Sequence, residues 1–88
     1  MPWKLLYHPS AVKQTRKLHR LDQKKLIKSL KLLKVNPQTE TLDTTRLVKT
    51  KSSYRLRLGK IRVIYEKDSK GKIIYIWKIT YRKDAYRK

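Results

Sequence analysis

Cysteine is absent from the chain, which excludes a disulfide framework and any thiolate metal site. Glycine occurs twice, at Gly59 and Gly71, too sparsely for a glycine-rich phosphate loop. The six acidic residues are scattered, so no carboxylate pair offers itself for general acid–base work. His8 and His19 have no acidic neighbours to complete a metal site, and no Ser/His/Asp arrangement suggests a nucleophilic triad. No cofactor is therefore expected. No apolar run approaches the roughly 18 residues of a membrane span, and the N-terminus lacks the apolar stretch of a signal peptide, so a cytoplasmic location is expected. Internal repeats and low-complexity segments are missing too.

What the chain has in excess is positive charge: 25 Lys+Arg against 6 Asp+Glu, formally +19. Such an excess repels itself in the compact state and favours a polyanionic partner through counterion release on phosphates. Nucleic acid is the first candidate, with an acidic protein or a membrane surface behind it. The chain is not a disordered basic arm, because 39% of it is hydrophobic and the apolar positions are periodic. At 88 residues it should form one domain, residues 1–88, with a single modest core.

The organising stretch is residues 54–65. Tyr54, Leu56 and Leu58 alternate with Arg55 and Arg57, the period-2 pattern of a half-buried strand. With Gly59-Lys60 as a type II′ turn, counting outward pairs Leu58 with Ile61, Arg57 with Arg62, Leu56 with Val63, Arg55 with Ile64 and Tyr54 with Tyr65. The leucines, Ile61, Val63 and the two tyrosines then share the core face, and Arg55, Arg57 and Arg62 share the opposite one. Two guanidinium groups directly opposed cost a few tenths of a kcal/mol up to roughly 1. Folding alone gives no reason for that grouping, whereas a phosphate does, since arginine offers forked donors and keeps its charge near neutrality.

Around this hairpin, residues 2–7 read as a first strand with Trp3, Leu5 and Tyr7 on one face. His8-Pro9-Ser10 then opens a short helix over 11–19, capped by Ser10 or His8. Asp22 reads as the N-cap of a second helix over 23–35, whose Leu26, Ile27, Leu30 and Leu33 are core and whose Lys24, Lys25, Lys28 and Lys31 have no acidic i±4 partner. Pro37 ends it, and residues 37–46 read as a Thr-rich loop tied down by Leu42 and Leu47. After a turn at 66–71, residues 72–80 form a last strand in which Ile73, Tyr75, Trp77 and Ile79 alternate with Ile74, Ile76 and Lys78. Apolar on both faces, it belongs inside the sheet or under a cover. The fold class is α+β: β-α-α-β-β-β, two helices packed on one face of a small, mostly antiparallel sheet, with the arginine face left open.

The chemistry open to these residues is that of the phosphodiester. Cleaving RNA requires an activated 2′-hydroxyl, stabilisation of the extra charge on the phosphorane, and protonation of the leaving 5′-oxygen. Fixed arginines supply the second directly. Tyr65, Tyr81 and Tyr86 could stack a base, or relay a proton if nearby cations lowered a phenol pKa. The alternative for Tyr86 is a terminal aromatic covering the sheet edge.

The assembled pattern resembles the RelE/ParE superfamily of toxin–antitoxin systems. The resemblance covers essentially the whole chain. It is carried by the element order, by Ser53-Tyr54-Arg55-Leu56-Arg57-Leu58-Gly59, by Ile61-Arg62-Val63-Ile64-Tyr65, and by the tail Tyr81-Arg82-Lys83-Asp84-Ala85-Tyr86-Arg87. The tail points to the RelE branch, whose members are messenger-RNA endonucleases acting in the ribosomal A site and inhibited by an antitoxin. The resemblance implies catalytic roles for Arg55, Arg57, Arg62, Arg82 and Tyr86, with Lys83 as the other candidate for the tail cation, and RNA contacts from Lys49, Lys51, Lys60, Lys78, Lys83, Tyr81 and Arg87. It also implies three partners: an acidic antitoxin, messenger RNA and the ribosome. Where relatives carry lysines on the second strand this chain has Arg55 and Arg57. Arginine, with a pKa above about 12, is no general base, so that role falls to Tyr86, to Lys83 or to the ribosome. Two further readings stand beside the RNase: a ParE-like inhibitor of DNA gyrase, and a catalytically silent basic RNA-binding module.

Overall fold

The alternation around Gly59 folds into the hairpin that the pattern predicts. A computed structural model describes residues 3–37, 41–47 and 52–81. Its elements are β1 (Lys4–Tyr7), α1 (Pro9–Arg16), α2 (Arg20–Val35), β2 (Asp43–Arg46), β3 (Ser53–Leu58), β4 (Ile61–Asp68) and β5 (Ile73–Tyr81). The strands lie in the order β1-β5-β4-β3-β2, antiparallel throughout except for the parallel pair β1/β5. The β3/β4 register matches the expected pairing residue for residue, Arg57 opposite Arg62 included. Gly59 supplies the positive φ of +57° at the first turn position and Lys60 does not share it, as a type II′ turn requires.

One sheet face carries Leu56, Leu58, Ile61, Val63, Tyr65 and Ile76, and these pack with Ala11, Leu26, Leu30 and Leu33 of the two helices as one core. Burying each such side chain contributes about 1.5–3 kcal/mol. The helix boundaries differ from the expected ones for identifiable reasons. α1 begins at Pro9 because His8 is the cap, its Nδ1 accepting the Ser10 N–H at 3.1 Å. It stops at Arg16, which lets Leu18 drop into the core from the linker. α2 starts at Arg20, with His19 rather than Asp22 in the capping position. Asp22 sits in the first turn, where its carboxylate accepts the Tyr81 hydroxyl at 3.0 Å.

Two features of the sheet were not foreseen. Residues 43–46, expected as loop, form the edge strand β2 and pair with the free side of β3. The fold therefore has five strands instead of four. In β5, Ile64 faces Lys78 while Tyr65 faces Ile76, leaving Trp77 as an extra, bulged residue. The bulge inverts the alternation. Ile79 goes to the core face, almost fully buried, and Trp77 stays with Tyr75, with ring centroids 4.6 Å apart. β5 is internal to the sheet, between β1 and β4, as its two apolar faces require.

Candidate functional site

The face turned away from the helices is built by cross-strand neighbours. Asp43 and Arg57 pair across β2/β3, Arg57 and Arg62 across β3/β4, and Arg62 and Thr80 across β4/β5. The next row along the strands runs Thr45, Arg55, Ile64, Lys78. So Arg55, Arg57, Arg62 and Lys78 come together on three adjacent strands, and Lys60 stands exposed in the turn at their end.

The three arginines occupy three different environments. Arg57 is exposed, and its Nε lies 3.6 Å from Asp43 Oδ2, with the two side chains 52% and 60% accessible. A pair this open is worth at most about 1 kcal/mol and yields readily to another anion. Arg62 is only 4% exposed. Its Nη1 donates to the carbonyl of Gly59 at 2.8 Å and of Ile61 at 2.9 Å, so the guanidinium is clamped to the β3–β4 turn. Arg55 is half-buried, and its Nε is buried without a hydrogen-bond partner. An orphaned donor of that kind is costly.

The tyrosines divide differently from expectation. Tyr65 is fully buried on the core face, stacked on Tyr54 at 5.6 Å, and cannot reach a base. Burial pushes its phenol up to about 12, opposed by Thr44 beside it, with Tyr54 adding to the rise; the hydroxyl completes no hydrogen bond. It is no proton relay near neutrality. Burial likewise raises the Tyr7 phenol. Tyr81 is committed to the helix junction: its hydroxyl accepts the His19 N–H at 3.0 Å and donates to Asp22. The structure thus ties the Tyr81 hydroxyl to α2 and does not bring it to the arginine row. Lys49, Lys51, Arg82, Lys83, Tyr86 and Arg87 lie outside the described residues.

Two placements escaped the sequence reading. Asp43 faces Arg57 because β2 exists, and nothing in Asp-Thr-Thr-Arg announces a strand. Lys78 lies in the Arg55 row, and Ile79 in the core, because of the bulge, whereas simple alternation already sets Trp77 with Tyr75, where His8 meets it. Among the described residues no group of three His, Asp or Glu could hold a metal ion, and no helix is long and apolar enough to cross a membrane.

Comparison with known proteins places this geometry. Residues 5–86 match the family described as the ParE toxin of type II toxin–antitoxin systems, parDE. A protein described as toxin RelE1, from Methanocaldococcus jannaschii, is 34% identical over 88 residues, covering 99% of this chain and 98% of its own length. Among solved structures, the archaeal RelE–RelB complex from Pyrococcus horikoshii superposes with a TM-score of 0.82 at 30% identity, covering 93% of this chain and 97% of that one. The intact RelBE toxin–antitoxin complex of E. coli shares the fold, with a TM-score of 0.77 at 20% identity over 90% of this chain and 95% of that one. The chain belongs to the ParE toxin family of type II toxin–antitoxin systems, within the RelE/ParE superfamily, and is a RelE-like toxin.

Proposed function

We propose that this toxin is a ribosome-dependent endoribonuclease that cuts messenger RNA in the A site by attack of the 2′-hydroxyl. The observation that carries the reading is the placement of Arg55, Arg57 and Arg62 on neighbouring strands of the face opposite the helices. The 2′-oxygen loses its proton to a base and bonds to phosphorus, and the 5′-oxygen leaves with a proton, giving a 2′,3′-cyclic phosphate and a 5′-hydroxyl. Arg62, buried and with its Nη1 held by two turn carbonyls, supports the intermediate as a fixed positive charge under the face, acting through its field. Arg57 exchanges Asp43 for phosphate, and half-buried Arg55 beside it adds its charge. Arg82 and Tyr86 complete the set from the tail, with Tyr86, Lys83 or the ribosome moving protons.

In a translation reaction with mapped transcript ends, the wild type should cut within codons only when ribosomes are present. Arg57→Ala and Arg82→Ala should each remove most cleavage. Growth arrest surviving in the double variant would overturn the site assignment.

The family's ParE description supports a second reading, a gyrase inhibitor on the same scaffold. It predicts blocked replication with intact transcripts, so the same mapping of ends separates the two.

The relatives were solved with RelB, and an acidic antitoxin is the partner we propose here. A cleft of about 260 Å³ between α1 and α2, lined by Tyr7, Val12, Ile27, Leu30 and Arg16, offers an apolar seat beside a cation. Exposed Lys24, Lys28 and Lys31 on α2 suit an acidic chain. Co-expression with the adjacent reading frame should give one complex on gel filtration.

A further inference from the structure

The arginine row leaves unexplained the other half of its own face. Beyond Lys78 the bulge presents Trp77, 40% exposed, with the Tyr75 ring centroid at 4.6 Å and 48° and that of His8 at 5.4 Å and 31°. We propose that Trp77 and Tyr75, backed by His8, form a stacking platform for an unpaired base of a single-stranded RNA whose phosphates lie on Arg55, Arg57 and Lys78. The inference rests on RNA being the substrate class of this face.

Three observations converge on it. The first is the bulge itself: strict alternation would carry Ile79 outward with Trp77, whereas the extra residue returns Ile79 to the core and sets Lys78 beside the aromatics. The second is distance along the sheet. Arg55, Ile64 and Lys78 stand in register on adjacent strands, so Arg55 and the bulge are two strand spacings apart, about 10 Å. That is the reach from a phosphate to the base of the same or the next nucleotide. The third is the acceptor beside the aromatics: Glu66 opposes Tyr75 on the same face, whereas the Arg55 row carries no carboxylate among its described members Thr45, Arg55, Ile64 and Lys78. Arginines at one end and aromatics at the other orient a strand laid across the face, phosphates over β3 and a base over β5, with the Glu66 carboxylate placed to accept from an exocyclic amine. A second copy of this chain is a poor occupant, because two domains of charge +19 repel each other.

The two tryptophans are Trp3 and Trp77, so Trp3→Phe makes Trp77 the sole indole reporter. The probe is a short unstructured oligonucleotide with every 2′-hydroxyl methylated, which blocks the attacking group. Saturation should quench Trp77 emission. Trp77→Ala should weaken binding roughly tenfold with the slope of log affinity against log salt unchanged, and Trp77→Tyr should restore most of it. Arg57→Ala should instead lower that slope by about one. An abasic oligonucleotide should bind wild type and Trp77→Ala equally. Should Trp77→Ala fail to fold, quenching and the abasic comparison decide by themselves. Binding without quenching, or with undiminished affinity in folded Trp77→Ala, overturns the platform and leaves the endonuclease reading standing. Failure of wild type to bind the oligonucleotide overturns the platform, while the endonuclease reading is decided separately by the mapping of transcript ends with ribosomes present. Self-association without RNA that Trp77→Ala abolishes marks the patch as a subunit contact and also overturns it.

Discussion

Arg57 and Arg62 face each other across two strands, yet their side chains do different work, and substitution should separate them. Arg57→Ala removes a solvated cation whose ion pair with Asp43 is open to water, so the folding free energy should change by less than about 1 kcal/mol while cleavage falls. Arg62→Ala strips the donor from two main-chain carbonyls, and leaving such groups unsatisfied costs roughly 1–3 kcal/mol. Urea titrations beside cleavage assays should show the first variant inactive but stable and the second impaired in both. Asp43→Asn should strengthen oligonucleotide binding, since it frees Arg57 from a competing anion. Tyr65 makes a pH prediction. Its folded pKa, raised from about 10 to about 12, means that the unfolded chain releases the phenolic proton first as pH rises. The stability it lends is intact below pH 10 and declines as pH climbs towards 12, by roughly 1.4 kcal/mol per unit. Tyr65→Phe should be near neutral at pH 7, where the hydroxyl lacks a partner, and should flatten this alkaline decline relative to wild type.

At the scale of elements, the sheet is held to its helices by a few long polar ties as well as by the core. Gln14 of α1 accepts the Ile79 N–H at 2.8 Å, just past the bulge, and Tyr81 bridges β5 to His19 and Asp22 at the start of α2. Gln14→Leu keeps the bulk but orphans a strand N–H, and should cost about 1–3 kcal/mol with faster amide exchange at Ile79. These ties also show why the hairpin was legible and its surroundings less so. Tyr54 to Tyr65 is specified locally, by alternation and one glycine, and pairing then follows from counting. The strand at Asp43 to Arg46 has no apolar alternation to read, because an edge strand of which only Thr44 is half-buried needs none. The bulge depends on how Ile79 meets the core, and the capping role of His19 depends on Tyr81, 62 positions away. Both are tertiary decisions. The arginine face could therefore be read from the chain, while Asp43 beside it and the place of Lys78 within it could not.

For the molecule as a whole, the decisive quantity is a charge of +19 on 88 residues. That figure already counts the six acids, three of which are engaged locally: Asp22 with Tyr81, Asp43 with Arg57, and Asp68 with the Lys70 and Gly71 amides that close the turn after β4. The compact state thus carries a self-repulsion that added salt screens, and the thermal midpoint should rise between 50 and 300 mM salt. RNA affinity should fall over the same range, because counterions released from phosphates must be released against a higher bulk concentration. The opposite signs make the pair of measurements informative. Were the arginine row held mainly by internal ion pairs, salt would lower both midpoint and affinity. A rising midpoint with falling affinity would show that the cations are held apart by the fold and remain free for an external polyanion.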